Sequence, residues 1–527
     1  MSCIILFPHQ LFEDAYINKL FKEVNEKEKH IILWEHEHFF NEFPYHKLKL
    51  AFHRASMQLY FDSIKSNKLY VQSIETTEKQ YEEIEKFINK NKITQLLFFN
   101  PIEKILLKLL NDNKLIPNLK IKYIMFPSPY FLNSSNFDKN NEMEESLTTT
   151  RHDLFYKSQR IKYDVMIKGN KPEGGSWSFD TENRKPFEKN QQEVELLKVN
   201  VGKIKYIDEA VEYVNKNYSK NYGLCEKENF IYPISRIDAL KWLDDFVKRK
   251  LNLFGKYEDA LSSKVVFGFH SVLSPLTNIG LITTRDILDK IEDYKKNIAS
   301  KEGFVRQIIG WREYCYFVYD KYYESLTTKL FYKKSNRKIP KKVWEGKTQI
   351  LLIDNIISHI NKYAYSHHIE RLMCMGNFLL LIGISSEEIY NWFQTMYIDA
   401  YDVFMVPNVY GMLLYGFVND KQHMMTPKAH PMSSKETHMM TRPYFCSSNY
   451  LMKMSDFKSS EIQLDKETYK WDEIMDALYY KLVADYSTEF TKIYSTANAV
   501  KRYNSFTPTK KKELNDLANT YIKWLFN

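Results

Sequence analysis

The chain has little cysteine, and what it has is scattered. Cys3, Cys225, Cys315, Cys374 and Cys446 stand singly, with no CxxC pair. That argues against a disulfide scaffold and a zinc ribbon and points to a reducing compartment. Glycine and proline are scarce, at 15 and 16 residues, which sets aside low-complexity and collagen-like chains. No GxGxxG fingerprint is present, so a dinucleotide site lacks its usual sequence support. No run approaches the ~18 apolar residues of a membrane span, and the opening "CIILF" is too short for a signal-peptide core. The expectation is a soluble, intracellular monomer with no membrane partner.

What is abundant is aromatic. Among 527 residues there are 38 Tyr and 34 Phe, which serve cores and flat ligands alike. Lys and Arg exceed Asp and Glu by 75 to 66, a net +9 that permits nucleic-acid binding without demanding it. The first third alternates short apolar runs ("CIILF", "HIILWE", "LYVQSI", "ITQLLFFN", "LKIKYIMF") with amphipathic stretches ("HKLKLAFHRASMQLYFDSI", "YEEIEKFINKN", "EKILLKLLND"). Strand and helix in turn predict a Rossmann-like α/β domain with a parallel sheet over 1–131. Polar text with a Gly174-Gly175 turn marks a connector over 132–204. From 205 to 527 the pattern is helical, "TQILLIDNIISHINKYAYSHHIERLMCMGNFLLLIG" included. An inserted surface loop interrupts it near 420–441, flanked by HMMT at 423–426 and 438–441.

Several stretches could carry chemistry, each with a structural alternative. "FHSVLSPLTNIG" gathers Ser271, Ser274 and Asn278 around Pro275; it suits an anion at a helix start, or an ordinary Ser-Pro cap. "EGFVRQIIGWREY" sets Arg306, Gln307, Trp311 and Arg312 at helical spacing, for phosphates and stacked bases or for salt-bridged packing. Asp399 and Asp402 stand three apart on a predicted helix, with Asn408 after Pro407, for acid-base work or helix termination. Neighbours such as His367 and His368 point about 100° apart on a helix, which makes them a poor chelating pair. A proton-transfer role or a satisfied core pair fits better, and no metal is expected.

In order along the chain, "HKLKLAF", "GGSWSFDTENRK", "FGKYEDAL", "HSVLSPLTNIGLI", "EGFVRQIIGWRE", "YSHHIERLMCMGNF", "IDAYDVFMVPNVYGM" and "RPYFCSSNYLMKMS" resemble the iron-sulfur bacterial cryptochromes and photolyases, the prokaryotic (6-4) photolyase branch of the cryptochrome/photolyase superfamily. The resemblance implies an α/β antenna domain, a long connector, and an all-α domain that folds FAD into a U shape. It assigns Tyr257, Ser271, Leu273, Ser274 and Asn278 to FAD, Asp399 and Met405 to the flavin ring, and Asn408 to its surroundings. It places His367 and His368 at the lesion face with Tyr444 and Tyr450, and gives DNA contacts to Arg184, Arg306, Gln307 and Arg312. Trp392 and Trp344 match the family's electron-transfer aromatics, with Phe393 where the family has a tyrosine.

The departures from the family carry expectations too. Its four cluster cysteines align with Leu352, Lys458, Glu461 and Glu473, so no iron-sulfur cluster is expected. Phe39 stands for a glutamate of the lumazine antenna, and Pro8 to Gln10 read "PHQ" for "GDQ"; a second antenna chromophore is either different or absent. The resemblance thus implies a light-dependent, FAD-driven lyase acting on UV-damaged DNA, with (6-4) photoproducts preferred. The alternatives are a cyclobutane pyrimidine dimer photolyase, a blue-light photoreceptor without repair, or a nucleic-acid-binding protein without flavin.

Overall fold

The computed structural model describes residues 1–112, 114–116, 121–134, 151–418 and 437–527. The first HMMT copy, most of the 420–441 insertion and much of the early connector lie outside the described residues.

Five short apolar runs become five parallel strands, β1 (Ser2–Leu6), β2 (His30–Trp34), β3 (Asn67–Val71), β4 (Gln95–Phe99) and β5 (Lys122–Phe126). Their order is β3-β2-β1-β4-β5, with Ile4 paired to Ile31 on one side and to Leu97 on the other. β1 and β2 are buried along their whole length, whereas the edges β3 and β5 carry partly exposed residues such as Lys68 and Lys122. A central parallel strand covered on both faces must be apolar throughout, and lysines at an edge discourage further pairing.

The strand order reverses between β1 and β4, the place where doubly wound sheets take ligands. Here this chain packs its own rings. Phe39, 3% exposed, lies 4.7 Å from the His9 ring and 6.2 Å from that of Tyr401. His9 Nε2 bonds the Pro101 carbonyl at 2.8 Å, and Gln10 Nε2 donates to the Phe99 carbonyl at 3.2 Å. Phe39 and His9, two positions at which the sequence departs from the family it resembles, therefore meet in one packed cluster.

A helical body follows, from Ile204–Asn217 to Pro508–Phe526, and shares one continuous core with the sheet. Buried polar ties join the two. Lys49 Nζ donates to the Ala400 carbonyl at 2.7 Å, the Tyr130 hydroxyl donates to the Asn278 carbonyl at 2.7 Å, and Glu103 accepts from the Asp402 N–H at 3.2 Å. Among the described residues, no helix is long and apolar enough to cross a membrane.

Two helical readings need correction. The stretch read as one helix through the histidines stops at Tyr363. Ala364 turns left-handed at φ 52, and its carbonyl accepts from Ile398 N–H. His367 precedes the next helix, with its own N–H bonded to Glu370 Oε2 at 3.3 Å. Likewise Asp399 and Asp402 do not share a helix: Ser386–Met396 ends before the first, and Asp402–Met405 begins at the second. A small antiparallel hairpin, Glu461–Leu464 with Glu467–Lys470, also interrupts the helical body, unannounced by the pattern.

Four π-helical stretches occur among the described residues: Phe246–Lys250, Arg306–Arg312, Glu370–Gly376 and Val406–Leu413. Each holds or adjoins a candidate site residue, as π-bulges commonly do because the extra residue re-aims a side chain.

Candidate functional site

Asp399 is the centre of a buried polar knot. Arg371 Nη1 and Nη2 donate to its two oxygens at 2.9 and 3.1 Å, and Ser274 Oγ donates to Oδ2. Asn278 Nδ2 donates to the Asp399 carbonyl at 2.8 Å. The guanidinium also lies 4.1 Å over the Tyr397 ring. The knot thus gathers Asp399, Ser274 and Asn278, which sequence placed in two separate motifs, and adds Arg371 from the π-helical stretch.

The turn before Ser274 is strained: Val272 has φ 52, a left-handed conformation that a β-branched residue resists. The strain brings His270 and Ser271 around ahead of the short helix Ser274–Asn278. Nearby, Lys250 Nζ is buried without a hydrogen-bond partner. Burial lowers that ammonium to about 8 against the pull of Glu193, and its charge in turn bears on His270. Tyr257 and Phe269 stack at 5.3 Å beside the turn. Leu273 and Met405 are buried. Asn408 is held outside the knot, accepting from Trp311 Nε1 at 3.2 Å and donating to the Phe404 carbonyl at 2.8 Å.

His367 is buried, and its ring stacks on His270 at 4.5 Å with 10° between planes. Burial, then the neighbouring His270, His368 and Arg371, holds it well below the ordinary imidazole value, so it is neutral near pH 7. His368 differs: its side chain is 47% exposed, and its Nε2 meets Asp259 Oδ1 at 3.1 Å. Burial opposes ionisation of Asp259, but the hydrogen bond from His368 and the nearby Arg184 and Arg306 hold its carboxyl below the usual range. Tyr450 belongs to this surrounding, its phenol raised by burial and then by the charge of Asp259. Tyr444 lies under the Arg442 guanidinium at 5.2 Å. His270, which sequence reading passed over, is the unexpected member; it opens the "HSVLSP" block and comes to the pair only through the fold.

Of the cations, Arg184 is half-exposed and pairs with Asp180 and Glu258 at 3.1 Å. Arg306 pairs with Asp180 and donates to Ser178 Oγ, and Gln307 is partly exposed. Arg312, which the resemblance gave to DNA, lies away from the surface. Its guanidinium is buried between the Tyr130, Phe131 and Phe404 rings at 4.7, 4.9 and 4.7 Å, and it donates to Asn278 Oδ1. It ties the sheet domain to the knot.

An aromatic path leads outward from Tyr397. Trp392 lies 5.6 Å from it, Trp344 6.5 Å further, and Tyr222 stacks on Trp344 at 4.2 Å. Phe393 flanks the inner end, 5.3 Å from Trp392 and 5.4 Å from Tyr397. Tyr222 is 36% exposed. No motif signalled it, because its link to Trp344 is wholly tertiary. Leu352 is buried in its helix, while Lys458, Glu461 and Glu473 are exposed.

Residues 4–230 match a family described as deoxyribodipyrimidine photo-lyase-related protein. A (6-4) photolyase of Agrobacterium fabrum is 33% identical over 315 residues, 58% of this chain and 56% of that one, so the chain spans about half the length of this relative. An uncharacterised protein of Acanthamoeba polyphaga mimivirus is 38% identical over 115 residues, 21% of this chain and 87% of that one. The fold is similar to a Synechocystis cryptochrome, with a TM-score of 0.53 and 14% identity over 78% of this chain and 82% of that one. It is also similar to a Sulfolobus tokodaii photolyase solved with two FAD molecules, at 0.50 and 13% over the same shares. Sequence match and shared fold, a five-stranded parallel sheet ahead of a helical body, point the same way: the chain is similar in sequence to photolyase-related proteins over residues 4–230 and similar in fold to a cryptochrome and a photolyase.

Proposed function

We propose that this chain is a light-dependent DNA photolyase that holds FAD and acts on (6-4) photoproducts in preference to cyclobutane dimers. The observation that carries the reading is the pair of unlike histidines, one buried and neutral, the other half-exposed against a carboxylate. The (6-4) photolyase named above supports it.

The residues fit a flavin dinucleotide. A buried ammonium without a hydrogen-bond partner is costly, and a diphosphate beside Lys250 and Ser271 would relieve it. Tyr257, Leu273, Asn278 and Met405 would line the cofactor, with the Asp399–Arg371–Ser274 knot fixing its polar edge and Asn408 further out. FAD, when bound, supplies light-driven one-electron chemistry. The chain's own part is to hold the lesion and move protons. A damaged base pair is poorly stacked and cheap to extrude. Opening a (6-4) adduct requires a proton delivered and returned. His368, ring-fixed by Asp259 and open to the outside, carries that proton; His367, held neutral by burial, is the acceptor beside it. Arg184, ion-paired but half-exposed, meets the backbone phosphates, with Arg306, which shares its partner Asp180, and Gln307 assisting.

Oligonucleotides bearing one defined lesion, illuminated with blue light and analysed for restored bases, test the reading. His367→Ala and His368→Ala should each lower (6-4) repair by about 100-fold or more while flavin content stays unchanged. Full activity in both variants removes the proton role. If neither lesion is restored by the unaltered chain, the repair reading is wrong.

The aromatic path favours a second reading, a photoreceptor of cryptochrome type, since it ends at the surface where a partner could sense it. On either reading Tyr222 is the outer terminus: a phenol that loses an electron must lose its proton, and its exposure gives that proton to water. Tyr222→Leu should leave the long-lived radical on Trp344, visible as a tryptophanyl rather than tyrosyl absorption transient. An unaltered transient would place the terminus elsewhere.

We also infer a chain without an iron-sulfur cluster, because the aligned positions offer an aliphatic group, an amine and two carboxylates where thiolates are needed. Anaerobically purified protein should hold well under one iron per chain; about four per chain would overturn this.

A further inference from the structure

His270, His367 and His368 can each offer one ring nitrogen such that the three lie within 4.8 Å of one another. Helical spacing made the adjacent pair a poor chelate, and the rings of His367 and His368 are indeed turned 67° apart. The break in the helix at Ala364 and the strained turn at Val272 supply what spacing cannot, a third imidazole from a distant segment.

Two further features point to a ligand. His270 Nε2 and His367 Nδ1 are both buried and have no hydrogen-bond partner, in residues only 7% and 5% exposed. The opposite nitrogens face carboxylates in two of the three rings. His368 Nε2 meets Asp259 Oδ1 at 3.1 Å, leaving Nδ1 to bind, and His367 Nε2 lies 3.7 Å from Glu370 Oε1. A histidine that ligates a metal characteristically turns its other ring N–H to such an acceptor, which fixes tautomer and orientation. Three imidazoles, two of them backed by carboxyl groups, suit a borderline divalent ion. A tetrahedral ion with bonds of about 2.0–2.1 Å sets its ligands about 3.3 Å apart, which modest ring rotations reach. The half-exposed His368 leaves a way in.

We propose that His270, His367 and His368 form a three-histidine site for a divalent transition-metal ion, Zn²⁺ in the first instance, with a fourth position open to water.

Zn²⁺ titrated into the purified, flavin-loaded, chelator-stripped full-length chain should bind one ion per chain, followed by calorimetry and competition with a colorimetric chelator. Co²⁺ should give the intense visible band of a tetrahedral site. Asp259→Asn should weaken binding by about 10–100-fold, and His270→Ala and His368→Ala by more. His368 is half-exposed, so its variant is expected to fold, and far-UV circular dichroism with flavin content checks all three. No uptake, or uptake with unchanged affinity in both histidine variants, overturns the site. A consequence rests on the repair reading: the ion would occupy nitrogens needed for proton transfer, so Zn²⁺ should suppress repair and chelation restore it. Repair without Zn²⁺ uptake overturns the metal site alone; Zn²⁺ uptake by a chain that repairs neither lesion overturns the repair reading alone.

Discussion

Replacing Asp399 by alanine should cost the folded protein about 3–5 kcal/mol, the penalty for leaving a buried cation without its partner. The Asp399 side chain is 5% exposed and that of Arg371 17%, so solvent screens the pair little. Alanine would strand the guanidinium and remove the acceptor of Ser274 Oγ. Asp399→Asn should cost less, because its amide oxygen can still accept from Arg371 or Ser274. The double change Asp399→Leu with Arg371→Met should recover much of the loss, since a well-packed apolar pair often matches a buried ion pair. Urea unfolding followed by tryptophan fluorescence gives the ordering. A loss for Asp399→Ala below about 1 kcal/mol, the range of exposed pairs, would show that water reaches the knot and that it does not brace the site.

The sheet was legible because strand length, apolar runs and intervening amphipathic stretches all agree, and both faces of a parallel sheet demand the same residues. Helix breaks were not legible at Ala364, a residue with high helix propensity that adopts φ 52. Its carbonyl bond from Ile398 is a tertiary contact no local pattern encodes. The same limit explains Arg312: a cation among helical residues reads as a solvated face, and only rings from positions 130, 131 and 404 reveal a buried tie. Of the site, Ser274, Asn278 and Asp399 could be picked out by residue type, yet not that they meet in one knot. His270 and Tyr222 escaped because what distinguishes each is its partner, His367 for one and Trp344 for the other.

Acid should unfold this protein steeply between about pH 6.5 and pH 4. Burial, the leading cause in each case, lowers His9, His46 and His152 to about 4 and His36 to about 3. The folded state holds these rings neutral, whereas the unfolded chain protonates them below the ordinary value of 6.5. The unfolded state therefore binds more protons across that window, and stability falls as pH falls, by up to ~1.4 kcal/mol per pH unit for each ring. Glu370 opposes this. Burial raises its carboxyl to about 8, so its contribution is present in acid and lost as pH rises from about 4.5 through 8. Asp402, raised to about 6 by burial and then by Glu103, opposes it over the lower part of the window; two such groups do not offset four histidines. His38, raised to about 9 by Glu103 and Glu42 against the effect of burial, is protonated in both states below 6.5 and adds no slope there. The thermal midpoint measured from about pH 6.5 down to 4.5 should fall throughout, against a typical total stability of about 5–15 kcal/mol. His152→Phe isolates one contributor, since its Nε2 has no partner and its ring packs edge-on to Trp311 and Tyr314. That variant should take up about one proton fewer on acid unfolding. A midpoint that stays level across the window would mean that the four imidazoles are protonated in the folded state, and that the packing of the β1/β4 cluster around His9 admits water.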